Sequence, residues 1–183
     1  MSRRGIFSLR GTRTQQQLVL KALSRCKFPW SLLQAGLGRV GKKNIPVTWA
    51  DLSSRGAWGL AYFDGRIEME QSLVSQPDTA QSVFLYESAH MVDFFYLTDA
   101  MRQQIYAAYH TGHGDKHKWY DNPDYFQDLG EAFMGGFAAA YSDLPPDPRF
   151  KHKTTPSLAA KLVQIITPTW KIAAEQDFRH GGR

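Results

Sequence analysis

The chain has 183 residues, 43% of them hydrophobic and 13% aromatic, with a formal net charge of +5 at pH 7. That length suits one cored domain with extensions, and the composition excludes a disordered or collagen-like polymer. No apolar run approaches the ~20 residues of a membrane span, MSRRGIFSLRG lacks the apolar core of a signal peptide, and the single Cys26 excludes an internal disulfide or a cysteine-rich zinc cluster.

Residues 1–12 read as a basic mobile arm. TQQQLVLKALSRC then places Leu18, Val19, Ala22 and Leu23 at helical spacing, which predicts a helix near 13–26. QAGLGRVGKKN reads as a turn-rich connection, and its GLGRVG follows no convincing strand, so no dinucleotide fingerprint is assigned there. IPVTWADL, GAWGLAYF and GRIEMEQ read as short strands, the last two joined at Asp64-Gly65, the sharpest hairpin signal in the chain. These predict a small antiparallel sheet. Pro77-Asp78-Thr79 opens a long helix of about 79–97, with Asp78 or Thr79 as its cap, and a second helix spans roughly 98–109. A His-rich loop follows, HTGHGDKHKWYDNP, whose glycines and lysines read as a solvated loop; His110, His113 or His117 would be the source of any replacement metal ligand. A third helix opens at Pro123 or Asp124 and runs to about Tyr141. DLPPDPRFKHKTTP reads as a linker, SLAAKLVQII as a short helix, and the tail from Pro168 to Arg183 is undetermined. The expected organisation is therefore an arm over 1–12, a domain over 13–145 and a C-terminal extension over 146–183, in an α+β fold with a small antiparallel sheet and several helices.

Charge is unevenly distributed. Residues 1–50 carry ten basic groups and no acid, whereas the rest carries twelve basic against seventeen acidic groups, net −5. A one-sided block of this kind suits an anionic partner: nucleic acid, an acidic protein face or the chain's own acidic part. Arg3, Arg4, Arg10 and Arg13 are the candidate contacts, although no nucleic-acid reading motif accompanies them.

The chemistry-bearing stretch is VFLYESAHMVDFF, residues 83–95. On a helix, residues one turn apart share a face, so Tyr86 and His90 lie together, Glu87 sits beside them and Asp93 follows one turn on, where it can orient His90. Val83, Phe84, Leu85, Ala89, Met91, Val92, Phe94, Phe95 and Leu97 make the helix apolar on nearly every side. Such a helix is buried, and its carboxylates need partners or a metal.

AWGLAYFDGRIEMEQ followed by a buried helix bearing Glu-x-x-His-x-x-Asp resembles the core of the zincin metallopeptidases, and YFQDLGEAFMGGFAAAYSD resembles the third-ligand helix of their lethal-factor-like branch. The resemblance covers about residues 56–142. It implies a zincin-type motif helix in which Glu87, His90 and Asp93 match the pattern, Glu131 matches the later Glu, and Tyr120 stands where that branch carries an active-site Tyr. It also puts a His ligand where this chain has Tyr86 and a Glu ligand where it has Gln127; Glu131 becomes a ligand under a shifted alignment. A phenol must lose a proton of pKa ~10 to bind zinc well, and a Gln carbonyl is a poor zinc ligand.

Two expectations follow. The leading one is a pseudoenzyme holding no cofactor, a structural or binding module docked to other protein subunits, in the cytoplasm or within a virion, with nucleic acid as a further partner of the basic segment and no membrane role. The alternative is a zinc metallopeptidase in which Tyr86 and His90, completed by Gln127 or Glu131, hold the metal and Glu87 is the general base.

Overall fold

The computed structural model describes residues 5–109, 129–144 and 155–167. Its elements run β1 (Phe7–Leu9), α1 (Arg13–Arg25), α2 (Ser31–Arg39), β2 (Ile45–Ala50), β3 (Gly59–Tyr62), β4 (Arg66–Glu70), α3 (Pro77–Phe95), α4 (Asp99–Tyr109), α5 (Leu129–Tyr141) and α6 (Pro156–Ile166). The class is α+β, as expected from the sequence.

Sheet polarity differs from the expectation. The strand order is β1-β2-β4-β3, with β1 and β4 both parallel to β2 and only the β3–β4 pair antiparallel. Asp64-Gly65 does make the hairpin, with Gly65 at φ +83° and its N–H bonded to Tyr62 O at 2.8 Å. But β4, turned back by that hairpin, inserts between β3 and β2 and so runs the same way as β2. The sheet is therefore mixed, with β3 as one edge.

The other edge is β1, cut from the segment expected to be a mobile arm. Phe7 pairs with Ile45 and Leu9 with Val47, Ile45 N–H donates to Ile6 O at 2.8 Å, and Ile6 and Phe7 are buried. Three residues are too short to announce a strand, and this one exists only because α1 and α2 return the chain for parallel pairing with β2. Residues 1–4 lie outside the described residues.

Alternation along the strands gives the sheet two unlike faces. Phe7, Ile45, Val47, Ile67 and Met69 are buried beneath helices, while Ser8, Pro46, Thr48, Glu68 and Arg66 face outward, half-exposed or exposed. On the covered face, α1 starts with a capping box: Thr12 Oγ1 accepts from Gln15 N–H at 3.3 Å, and Thr12 N–H donates to Gln15 Oε1 at 2.8 Å. Leu18, Val19, Ala22 and Leu23 are its buried stripe, as the spacing predicts. α3 begins at Pro77, two residues before its expected start, with Gln76 at the cap position in place of Asp78 or Thr79. Asp78 instead reaches Arg25 at 3.7 Å, and the same guanidinium holds Asp143 at 2.8 Å, so one side chain links the ends of α1, α3 and α5.

α3 is the central element. Thirteen of its nineteen residues are buried, because it packs on α1, α2 and α5 as well as on strands β3 and β4. An aromatic cluster joins these layers edge to face: Phe7 with Trp30 and Phe84, and Phe28 with Trp30, Phe137 and Tyr141, at centroid separations of 5.1–5.3 Å. α6, within the stretch 146–183 expected as a C-terminal extension, contributes Leu162, Ile165 and Ile166 to the same core. No helix among the described residues is long and apolar enough to cross a membrane.

α2 occupies what the sequence suggests is a turn-rich connection. Its glycines lower helix propensity, but Leu33, Gly36 and Leu37 are buried, and Gly36 lets the helix touch the end of α3. A Cβ at Gly36 would overlap the Phe95 carbonyl oxygen, and Arg39 Nη2 donates to Phe95 O at 3.3 Å and Tyr96 O at 3.4 Å, satisfying carbonyls that α3 leaves open. Gly36→Ala is therefore expected to lower stability by about 2 kcal/mol or more, because the obstruction is backbone and cannot rotate away. Urea denaturation read by circular dichroism checks this, with Gly38→Ala, where a Cβ meets open space, as the control.

Candidate functional site

Tyr86, Glu87 and His90 sit together on the two central turns of α3, where the helix passes edge strand β3. β3 approaches closely because residue 59 is glycine: a Cβ there would lie 2.6 Å from Glu87 Cγ and 2.7 Å from Oε1. Glu87 is thus buried under the strand, 6% exposed, while its neighbour Ser88 disposes of its hydroxyl on Phe84 O at 2.8 Å.

His90 lies in a row of rings. Tyr86 meets it edge-on at 5.6 Å, and Phe94 lies on its other side at 5.8 Å and 31°. The row continues through Phe94 to Phe63 of the β3–β4 turn at 4.3 Å. From Tyr86 to Phe63, exposure rises from 5% to 63%. Burial among these groups pushes the His90 pKa from 6.5 down to about 4, with the Asp93 carboxylate opposing the shift, so the imidazole is neutral near pH 7.

Asp93 does more than the sequence reading assigned to it. Its Oδ1 accepts from Arg102 Nε at 2.7 Å and its carbonyl from Arg102 Nη2 at 2.5 Å, while Arg102 Nη1 reaches Asp99 at 3.0 Å. Asp93 is fully buried and the Arg102 side chain is 10% exposed. The carboxylate is therefore the anchor joining α3 to α4, and its influence on His90 is Coulombic.

Of the remaining candidates, Glu131 falls in the first turn of α5, its side chain outside the described residues, and α5 packs along α3. Gln127, Tyr120, His110, His113, His117, Arg3 and Arg4 lie outside the described residues altogether. Arg10 and Arg13 are exposed at the β1–α1 corner, where Arg10 N–H bonds Val47 O at 2.9 Å. Arg102, Gly59 and Phe63 were missed by sequence reasoning. Signals for the first two exist: a buried Asp demands a cation, and Arg102 is the first one downstream of Asp93, while glycine inside GAWGLAYF marks a close approach.

Chemically, the described part of the site offers a phenol, a neutral imidazole and a buried carboxylate. Tyr86 and His90 are two donors one turn apart, and zinc takes four ligands, so these two alone do not form a closed shell. No family model matches the chain, and neither a curated protein nor a solved structure matches it.

Two expectations follow from the geometry. Asp93→Asn leaves the buried Arg102 with only the solvent-exposed Asp99 as counter-charge and is expected to cost ~3 kcal/mol, while Asp93→Leu combined with Arg102→Met recovers most of that loss; chemical denaturation of the three proteins checks it. For His90, the folded pKa lies below the unfolded one, so between about 4 and 6.5 the unfolded chain binds the extra proton. Its contribution is fully present above pH ~6.5 and is lost as pH falls toward 4, a change on the order of 2 kcal/mol. Stability measured across that window is expected to fall less steeply in His90→Gln than in the parent.

Proposed function

We propose that this chain is a zincin-like pseudoenzyme, a structural or binding module of a larger assembly such as a virion, whose motif helix has been turned from metal chemistry to core structure. The observation that carries the reading is the commitment of Asp93 to Arg102: the last acidic residue of Glu-x-x-His-x-x-Asp locks two helices together. The donor types support it further. A phenol at 86 stands where the resembled family has an imidazole, and the residue at 127 is an amide where that family has a carboxylate. Its partners would be other protein subunits, with nucleic acid a further candidate for the basic corner that includes Arg10 and Arg13.

One observation favours the alternative, a metallopeptidase with a Tyr-containing zinc site. His90 is neutral, as a metal ligand must be, and Tyr86 and Glu87 adjoin it. If zinc bound there, it would supply a Lewis acid and an activated water, with Tyr86 and His90 as ligands and Glu87 placed to accept the water's proton.

Metal analysis separates the two. The protein purified from zinc-supplemented medium is expected to hold far less than one zinc per chain and to lack peptidase activity. Tyr86→His with Gln127→Glu is expected to raise zinc affinity by at least about tenfold, since it restores one imidazole and one carboxylate. Stoichiometric zinc, together with peptidase activity abolished by Glu87→Gln, would establish the metallopeptidase instead. No gain in affinity from the double substitution would mean that the zincin register is wrong.

A further inference from the structure

Two large apolar side chains stand out among the described residues for exposure: Val40 at 57% and Phe63 at 63%. They occupy two different turns, the one after α2 and the one between β3 and β4, and these turns adjoin. A Cβ on Gly65 would lie 3.2 Å from Lys42 Cδ and 3.0 Å from Phe95 Cζ, so the lysine stem runs against the hairpin. Phe63 is held upright by stacking on Phe94 at 4.3 Å. Both turns are closed by backbone bonds, Val40 N–H to Leu37 O at 3.1 Å and Gly65 N–H to Tyr62 O at 2.8 Å, with Gly41 at φ +72° and Gly65 at φ +83°. The surface is thus already ordered before anything binds, which lowers the entropy lost on docking.

Its charge is one-sided. Arg66 of the hairpin is neutralised by Asp64 at 3.0 Å and Glu68 at 2.9 Å. Arg39, Lys42 and Lys43 have no acid within ion-pair distance among the described residues, so the rim beside Val40 keeps three positive charges.

We infer that the α2–β2 and β3–β4 turns form a docking surface for an acidic protein segment that carries apolar anchors, with Val40 and Phe63 taking the anchors and Arg39, Lys42 and Lys43 meeting the carboxylates. Charge decides against a second copy, since a two-fold contact would set two basic rims face to face. Val40, which has no ring to stack on a base, disfavours nucleic acid. The surface stands whether or not the α3 donors hold a metal.

The test uses the full chain and a fluorescent peptide in which Leu and Phe alternate with Glu, together with its counterpart bearing Lys for Glu. The acidic peptide is expected to bind and the basic one not to. Phe63→Ser and Val40→Ser should each weaken binding by roughly fivefold or more, and Lys42→Glu with Lys43→Glu by roughly tenfold, with a flatter salt dependence. Melting temperatures near the parent's establish that each variant is folded, and Val40→Ser leaves the Phe63–Phe94 stack in place. Absence of peptide binding, or binding untouched by these substitutions, overturns the inference. So does single-stranded DNA retention lost in the same variants, which assigns the surface to nucleic acid. A dimer in sedimentation that Phe63→Ser dissolves overturns it in favour of a second copy.

Discussion

The structure depends on burying a helix that carries charge. α3 is enclosed by the sheet on one side and by α1, α2 and α5 around the rest, yet it holds Glu87 and Asp93 at 6% and 0% exposure. An unpaired carboxylate in that position costs several kcal/mol, so the surrounding elements must supply partners. Arg102 does this for Asp93, and in doing so fixes how α4 leaves α3. A buried pair of this kind contributes little net stability over a well-packed apolar pair, but breaking it on one side is costly. That asymmetry favours one arrangement of the two helices over others.

Close approach is the second theme, and glycine permits it twice on α3. Gly59 lets β3 descend onto Glu87, and Gly36 lets α2 meet the carbonyl end of the helix at Phe95. Each contact joins a polar feature of α3 to a neighbour that a methyl group would hold off. Arg39 then serves the open carbonyls, as Arg102 serves Asp93. The ring row from Tyr86 through His90 and Phe94 to Phe63 links this interior to the surface, so the motif helix and the exposed hairpin turn share one continuous packing.

Helical periodicity was the strongest local signal. It located α1, α3, α4 and α6 to within a few residues, because each carries an apolar stripe or an apolar run that survives reading one residue at a time. The β3–β4 hairpin was equally legible from Asp64-Gly65. β1 and α2 were not. Phe7–Leu9 lies in a basic stretch and becomes a strand only against β2, and Ser31–Arg39 contains the two glycines that propensity counts against a helix. In both cases a distant surface outweighs local preference. The candidate site divides in the same way: Tyr86, Glu87, His90 and Asp93 could be placed on one helix by spacing, but Arg102, Gly59 and Phe63 arrive from other elements.

The sequence by itself determined the α+β class, the helix that bears the chemistry, the burial of that helix and the requirement that its carboxylates find partners. These follow from residue type and period, which act over one or two turns. Only the tertiary structure decided that Asp93 belongs to Arg102, that Phe63 of the hairpin turn stacks on Phe94, and that β4 inserts beside β2 to make the sheet mixed. Those outcomes rest on which surfaces meet across the chain, and pairing energies between distant segments leave no mark on local pattern.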